Sequence, residues 1–244
     1  LIPLALRSQA RHIWAMTDLI FPAPAPTLVP VANSDAQFAV RRVFCVGRNY
    51  AEHAREMGHD PDREPPFFFT KPADAVIPSG RSIPYPPATE DLHHEAELVV
   101  AIGTGGSDIA VADAMAHVWG FAAGNDLTRR DLQAGAKAAR RPWDMSKGFD
   151  NSAIIGALHP RSETGDLAQA RITAHVGDDL RQDADISEMI WPVPDVIAYL
   201  STLVTLTPGD LIYTGTPAGV GPVARGETCT VAIDGLSEAR VHIL

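Results

Sequence analysis

The chain has 244 residues and a formal charge of −10, with 45% apolar and 20% charged residues. That length and composition suit one soluble unit with a sizeable core, and the acidic balance excludes nucleic acid and anionic membrane surfaces as expected partners. No apolar run nears the roughly 18 residues that span a bilayer. The two cysteines, Cys45 and Cys229, fall in apolar strand-like stretches without motif spacing. Buried free thiols in a reducing, cytoplasmic setting are expected.

Residues 1–40 read as an N-terminal extension and lead-in. Residues 1–15 precede Met16-Thr17-Asp18, which looks like a natural start, so they read as upstream or vector-derived sequence. Pro22, Pro24, Pro26 and Pro30 keep the next stretch extended. From 41 to 244 no linker or repeat divides the chain, and one domain is expected.

Val43 to Gly47 reads as a short strand, and Ala51 to Met57 as a helix ending at Gly58. On that helix His53 and Glu56 share a face. A carboxylate beside an imidazole fixes its tautomer and suits a general base acting on water; a surface His–Glu pair is the plainer alternative. The polar, proline-rich run from His59 to Pro66 makes the helix and loop together resemble a lid. Phe67 to Pro72 reads as a buried strand, and Pro78 to Pro87 as turns with an edge strand.

The stretch Asp91–Gly103 is the most informative. Branched apolar residues favour a strand over Glu95–Ile102, and residues two apart on a strand share a face, so Glu95 and Glu97 project together. Adjacent carboxylates repel and resist burial. A hard divalent cation relieves both problems, with Asp126 as a third oxygen ligand, and oxygen donors suit Mg²⁺ or Mn²⁺. The alternative is a solvated strand end.

Gly103 to Gly106 lacks phosphate-loop spacing and reads as a hairpin turn. A helix over 110–118 and a strand over Val118–Gly124 then deliver Asp126. Thr128 to Gln133 opens another helix, capped by Asp126 or Thr128. Trp143 to Asp150 reads as a loop in which Lys147 is a snorkelling lysine or an oxyanion stabiliser. The stripe Val193, Val196, Ile197, Leu200 and Val204 predicts a helix over about 194–205, stopped at Pro208-Gly209. The turn Thr214 to Gly221 has the character of a carboxylate-binding loop that offers Thr216.

Six segments, in this order and spacing, resemble the fumarylacetoacetate hydrolase family: Gly47-Arg48-Asn49-Tyr50-Ala51-Glu52-His53, Phe69-Thr70-Lys71-Pro72, His94-Glu95-Ala96-Glu97-Leu98, Asn125 to Gln133, Ser146-Lys147-Gly148-Phe149-Asp150 and Thr214-Gly215-Thr216-Pro217. The likeness runs from Phe44 to the C-terminus. It implies an α+β, β-rich fold over 41–244, a mixed β-roll or pseudo-barrel with short peripheral helices, assembled as a homodimer. It implies that Glu95, Glu97 and Asp126 hold Mg²⁺ or Mn²⁺, and that His53 and Glu56 form a lid dyad that activates water. It implies that Lys147, Gln133 and Thr216 line an oxo-acid site. Arg48 and Tyr50 are assigned to the substrate or to the turn before the lid.

The stretch Gly58 to Phe69 is similar to fumarylpyruvate hydrolases of aromatic-acid degradation. The resemblance therefore implies metal-dependent hydrolysis of the C–C bond of a 2,4-dioxo acid. Acylpyruvate cleavage, oxaloacetate decarboxylation and a non-catalytic oxo-acid or metal-binding role are the rivals. Arg63, Arg140 and Arg141 are candidates for the substrate's far carboxylate. Gly148 stands where many relatives have serine, a change expected to loosen the lysine loop. Val176-Gly177-Asp178-Asp179 departs from the family's usual turn, a harmless hairpin change.

Overall fold

The computed structural model describes residues 19–52 and 65–244. The main sheet is mixed. Its strands run in the order Phe67–Lys71, Arg42–Gly47, Asp210–Tyr213, Ala96–Ile102, Val118–Asp126, Ala153–Ile155 and Val76–Pro78, with His159–Pro160 paired to Val118–Asp126. Arg42–Gly47 runs parallel to Asp210–Tyr213, and Ala153–Ile155 parallel to Val76–Pro78; the other pairs are antiparallel. A second sheet stacks Asp179–Asp185, Arg171–Val176, Thr228–Ile233, Ala239–Ile243 and Arg81–Ile83. This is the expected β-rich roll with few, short helices. Among the described residues no helix is long and apolar enough to cross a membrane.

The main sheet is buried on both faces, and strand alternation sorts its side chains between two cores. Phe44, Val46, Leu98, Val100, Phe121, Ile154 and Ile212 meet the second sheet and the Val193–Leu203 helix in the larger core. Val43, Cys45, Val99, Ala101, Ala122, Ala153, Leu211 and Tyr213 face the smaller one, which Val29 and Val40 of the lead-in cover. Cys45 and Cys229 are buried free thiols.

Several local expectations are corrected. Glu95 lies between the strands Leu92–His94 and Ala96–Ile102 rather than inside one. There its N–H donates to the Asn125 side chain at 3.0 Å. Gly103 to Gly106 does not close a tight hairpin. The chain first forms a 3₁₀ helix, Val111–His117, that packs on the Val193–Leu203 helix. The next helix begins at Arg130 and ends at Ala138 without a side-chain cap, because the Thr128 hydroxyl donates instead to the Asp126 carbonyl. Asp144–Lys147 is one helical turn, not loop. Phe67–Lys71 is an edge strand whose aromatic rings are only half-buried.

The predicted 194–205 helix forms as Val193–Leu203, with Val193, Val196, Ile197 and Leu200 buried. Gly177, in the left-handed region, turns the Arg171–Val176 strand into the Asp179–Asp185 strand. A Cβ on Gly148 would lie 3.1 Å from the Pro72 ring, so the glycine sits in a tight place.

Candidate functional site

The smaller core ends in charge. Glu97 continues the face of Val99 and Ala101, and Asp126 that of Ala122 and Gly124. Gly124 is needed there because a Cβ would fall 2.4 Å from Val99 and 2.7 Å from the Tyr213 ring. Glu95, turned at the strand break, completes the group: ligand oxygens of Glu95, Glu97 and Asp126 lie within 4.8 Å of one another, all three side chains buried. The solvated-strand alternative fails on that burial.

Cations hold the cluster together. Lys147 Nζ donates to Glu95 Oε2 and Asp126 Oδ2, both at 2.7 Å. Burial alone would pull the Lys147 pKa down, but Asp126 and Glu95 outweigh it and hold the ammonium above its ordinary value. Arg130 donates to Glu95 Oε1 at 2.6 Å, to Gln133 Oε1 at 2.7 Å and to His93 Nδ1 at 3.3 Å. Lys71, opposite Val43 in the edge pairing, lies with Nζ 2.7 Å from Asp126 Oδ1. Its hydrogens are directed at the carbonyls of Leu127, Lys147 and Ser152.

Asp126 Oδ1 is consequently buried without a directed hydrogen bond. Glu97 receives the Gly215 N–H at 2.8 Å. Even so, burial, then Asp126 and Glu95, push its pKa well above the carboxylate range. A carboxylate oxygen met only by the Lys71 charge, beside an electrostatically strained carboxylate, is what a divalent cation relieves. The donor set fits Mg²⁺ or Mn²⁺, which Glu95, Glu97 and Asp126 would hold.

Lys71 and Asp126 are fully buried partners. Removing one side of a buried pair leaves the other uncompensated. Lys71→Met is therefore expected to lower stability by about 3–5 kcal/mol, read as a reduced urea midpoint in chelator. An unchanged midpoint would mean that Lys147 alone suffices for Asp126.

Beside the carboxylates opens a recess lined by Arg48, Phe69, Arg130, Gln133, Lys137, Trp143, Lys147 and Thr216, with Glu95 and Glu97 at its floor. Two interlocked turns form one wall. Asn49 is buried, donates to the carbonyls of Trp191 and Thr214, and accepts from Trp191 N–H. Gly215, at φ 94°, passes so close that a Cβ would lie 2.7 Å from Asn49 Cβ. Gln182 locks this wall to the metal-ligand strand: its Oε1 meets Ala96 N–H and His94 Nδ1, and its Nε2 donates to Thr216 Oγ1 and the Pro217 carbonyl. Burial lowers the His94 pKa to about 4, so the ring is neutral and donates to Gln182 from Nδ1.

The structure thus brings Glu95, Glu97, Asp126, Arg48, Gln133, Lys147 and Thr216 together. Tyr50 is placed elsewhere: it is buried, bridges to Met189 and borders a separate hollow with Glu52, Glu188 and Pro217. Arg140 and Arg141 are exposed and stand outside the recess. His53, Glu56 and Arg63 lie outside the described residues. Sequence patterns do not mark Lys71, Arg130, Lys137, Asn49 or Gln182 as site residues by themselves. Helical spacing was a usable signal for Arg130 and Lys137, three before and four after Gln133. Gln182 had none, since its strand reads as exposed.

Comparison with known proteins adds the decisive observation. The family model described as fumarylacetoacetate (FAA) hydrolase, C-terminal, matches residues 42–244. The chain belongs to the fumarylacetoacetate hydrolase family. Among solved structures of the family, fumarylpyruvate hydrolase from Pseudomonas aeruginosa in complex with Mn²⁺ and pyruvate is 51% identical, with a TM-score of 0.92 over 93% of this chain and 99% of that one. Two curated members are also similar. The mitochondrial oxaloacetate decarboxylase of Dictyostelium discoideum is 42% identical over 80% of this chain and 90% of its own length. The mitochondrial oxaloacetate tautomerase FAHD1 of Arabidopsis thaliana is 40% identical over 83% and 90%.

Proposed function

We propose that this member of the family hydrolyses the C–C bond of a 2,4-dioxo acid, with fumarylpyruvate cleaved to fumarate and pyruvate. The observation that carries the reading is the buried Glu95–Glu97–Asp126 cluster beside a cation-rich recess, in a chain 51% identical to a fumarylpyruvate hydrolase whose structure holds Mn²⁺ and pyruvate. A bound Mg²⁺ or Mn²⁺ supplies Lewis acidity toward the oxo-acid end of the substrate.

The chain's own residues do the rest. His53, oriented by Glu56, takes a proton from the water that attacks the 4-carbonyl. Lys147, held protonated by its carboxylate neighbours, donates toward the oxyanion that develops there. Thr216 accepts from Gln182, and its own hydrogen, which meets no acceptor among the described residues, points its donor capacity at the substrate carboxylate. Arg130 holds Gln133 and Glu95 in place. Assembly as a homodimer belongs to the same reading.

The likeness to an oxaloacetate decarboxylase and a tautomerase favours a second reading. In it the same site promotes enolisation or decarboxylation of oxaloacetate without an activated water. The test follows ultraviolet loss of fumarylpyruvate, acetylpyruvate and oxaloacetate with chelator-stripped protein, before and after adding Mg²⁺ or Mn²⁺. Metal-restored cleavage fastest on fumarylpyruvate is expected. Faster loss of oxaloacetate would replace the hydrolase reading with the second one.

A further inference from the structure

The recess holds more positive charge than its carboxylates require. Lys71 pairs with Asp126, Arg130 with Glu95, and Lys147 with both, while Glu97 takes no ion pair among the described residues. Lys137 is a further, half-buried cation in the same lining. It follows Gln133 by four residues and Arg130 by seven on the Arg130–Ala138 helix, so the three share the face that looks into the recess. Its ammonium sits 5.1 Å from the centre of the Trp143 ring. That ring is its sole charge-directed contact among the described residues: Lys137 has no ion pair or side-chain hydrogen bond there.

A half-buried ammonium without a paired anion is poised for one that arrives with a ligand. The cluster end of the recess is already taken by committed side chains, whereas Lys137 stands a further helical turn along. We infer that Lys137 binds the far carboxylate of a dicarboxylic 2-oxo acid and sets the preference for such substrates over monocarboxylic acylpyruvates. The inference rests on the oxo-acid reading above and adds a specificity-determining residue to it. It also replaces Arg140 and Arg141 as candidates for that carboxylate.

Burial, then Arg130 and Arg48, with Lys147 adding to them and Glu95 opposing, lowers the Lys137 pKa to about 8. The ammonium is present below that value and lost above it. Preference for the dicarboxylate is therefore expected to fade as pH rises past about 8, on top of any pH dependence common to both substrate classes.

The test compares kcat/KM for fumarylpyruvate and acetylpyruvate in wild type, Lys137→Met and Lys137→Arg. Losing a charge-assisted contact is expected to lower the fumarylpyruvate value by about 10- to 100-fold, chiefly through KM. Acetylpyruvate should change by less than about threefold, and arginine should recover part of the loss. Equal losses on both substrates, or no loss on either, would overturn the assignment.

Calorimetric binding of 2-oxoglutarate and 2-oxopentanoate to the Mn²⁺-loaded protein separates this inference from the reading it rests on. A wild type that cleaves neither dioxo acid would sink the hydrolase reading. Selective weakening of 2-oxoglutarate in Lys137→Met would still support the carboxylate site, and equal affinities for wild type and variant would overturn it.

Discussion

Glu97→Gln is expected to weaken Mn²⁺ binding by more than the roughly 10- to 100-fold that loss of an outer-shell partner costs, and to make the metal-free protein more stable than wild type. Both effects come from one carboxylate. The Glu97 pKa is raised by burial and by Asp126 and Glu95, so the metal-free fold prefers its protonated form. Stability associated with that proton is present at low pH and lost as pH rises through the raised value. Whenever Glu97 is ionised the wild type carries a repulsion that the amide lacks, while a glutamine oxygen still accepts the Gly215 N–H. Melting in chelator should rank the variant above wild type. Added Mn²⁺ should raise the wild-type Tm and leave the variant unmoved. Wild-type Mn²⁺ affinity in the variant would remove Glu97 from the ligand set.

His53→Ala is expected to lower kcat on fumarylpyruvate by roughly 10²- to 10⁴-fold, the usual cost of losing a general base. KM should change little, because the oxo-acid end of the substrate is held by groups on the sheet and the Arg130–Ala138 helix. Metal-dependent loss of oxaloacetate should survive the same substitution if that reaction needs no activated water. A variant with near-normal kcat on fumarylpyruvate would transfer the base role to another residue. Glu56→Gln should reproduce a smaller part of the defect, since it alters the tautomer support rather than the base itself.

The parts of this molecule legible in its sequence are those in which one physical rule dominates. Two acids at strand spacing beside an apolar run had to be solvated or neutralised, and the triad of Glu95, Glu97 and Asp126 followed. The Val193–Leu203 helix was legible because its apolar stripe and its proline–glycine stop agree. What escaped were places where a distant residue overrides a local rule. The Asn125 side chain takes the Glu95 N–H and breaks the predicted strand. Thr128 bonds back to Asp126 instead of capping the next helix. Lys71 reads locally as the polar end of an aromatic strand. Only the tertiary fold, which brings the end of this edge strand against Asp126 across three intervening strands of the sheet order, turns it into a buried counter-ion. Gln182 was illegible for the same reason, because its four partners come from two distant stretches of chain, His94–Ala96 and Thr216–Pro217.

The division between the carboxylates of the sheet and its strand break and the helix-borne Arg130, Gln133 and Lys137 has a consequence for how such an enzyme diversifies. The acids are embedded in a two-faced sheet where a change of one methylene is felt throughout the packing. The last turn of the Arg130–Ala138 helix is largely surface, and substitutions there cost little stability. Selection is thereby free to rewrite the far end of the ligand site while the acid cluster stays intact. A scaffold divided in this way can give rise to descendants with different oxo-acid diets through a handful of peripheral replacements.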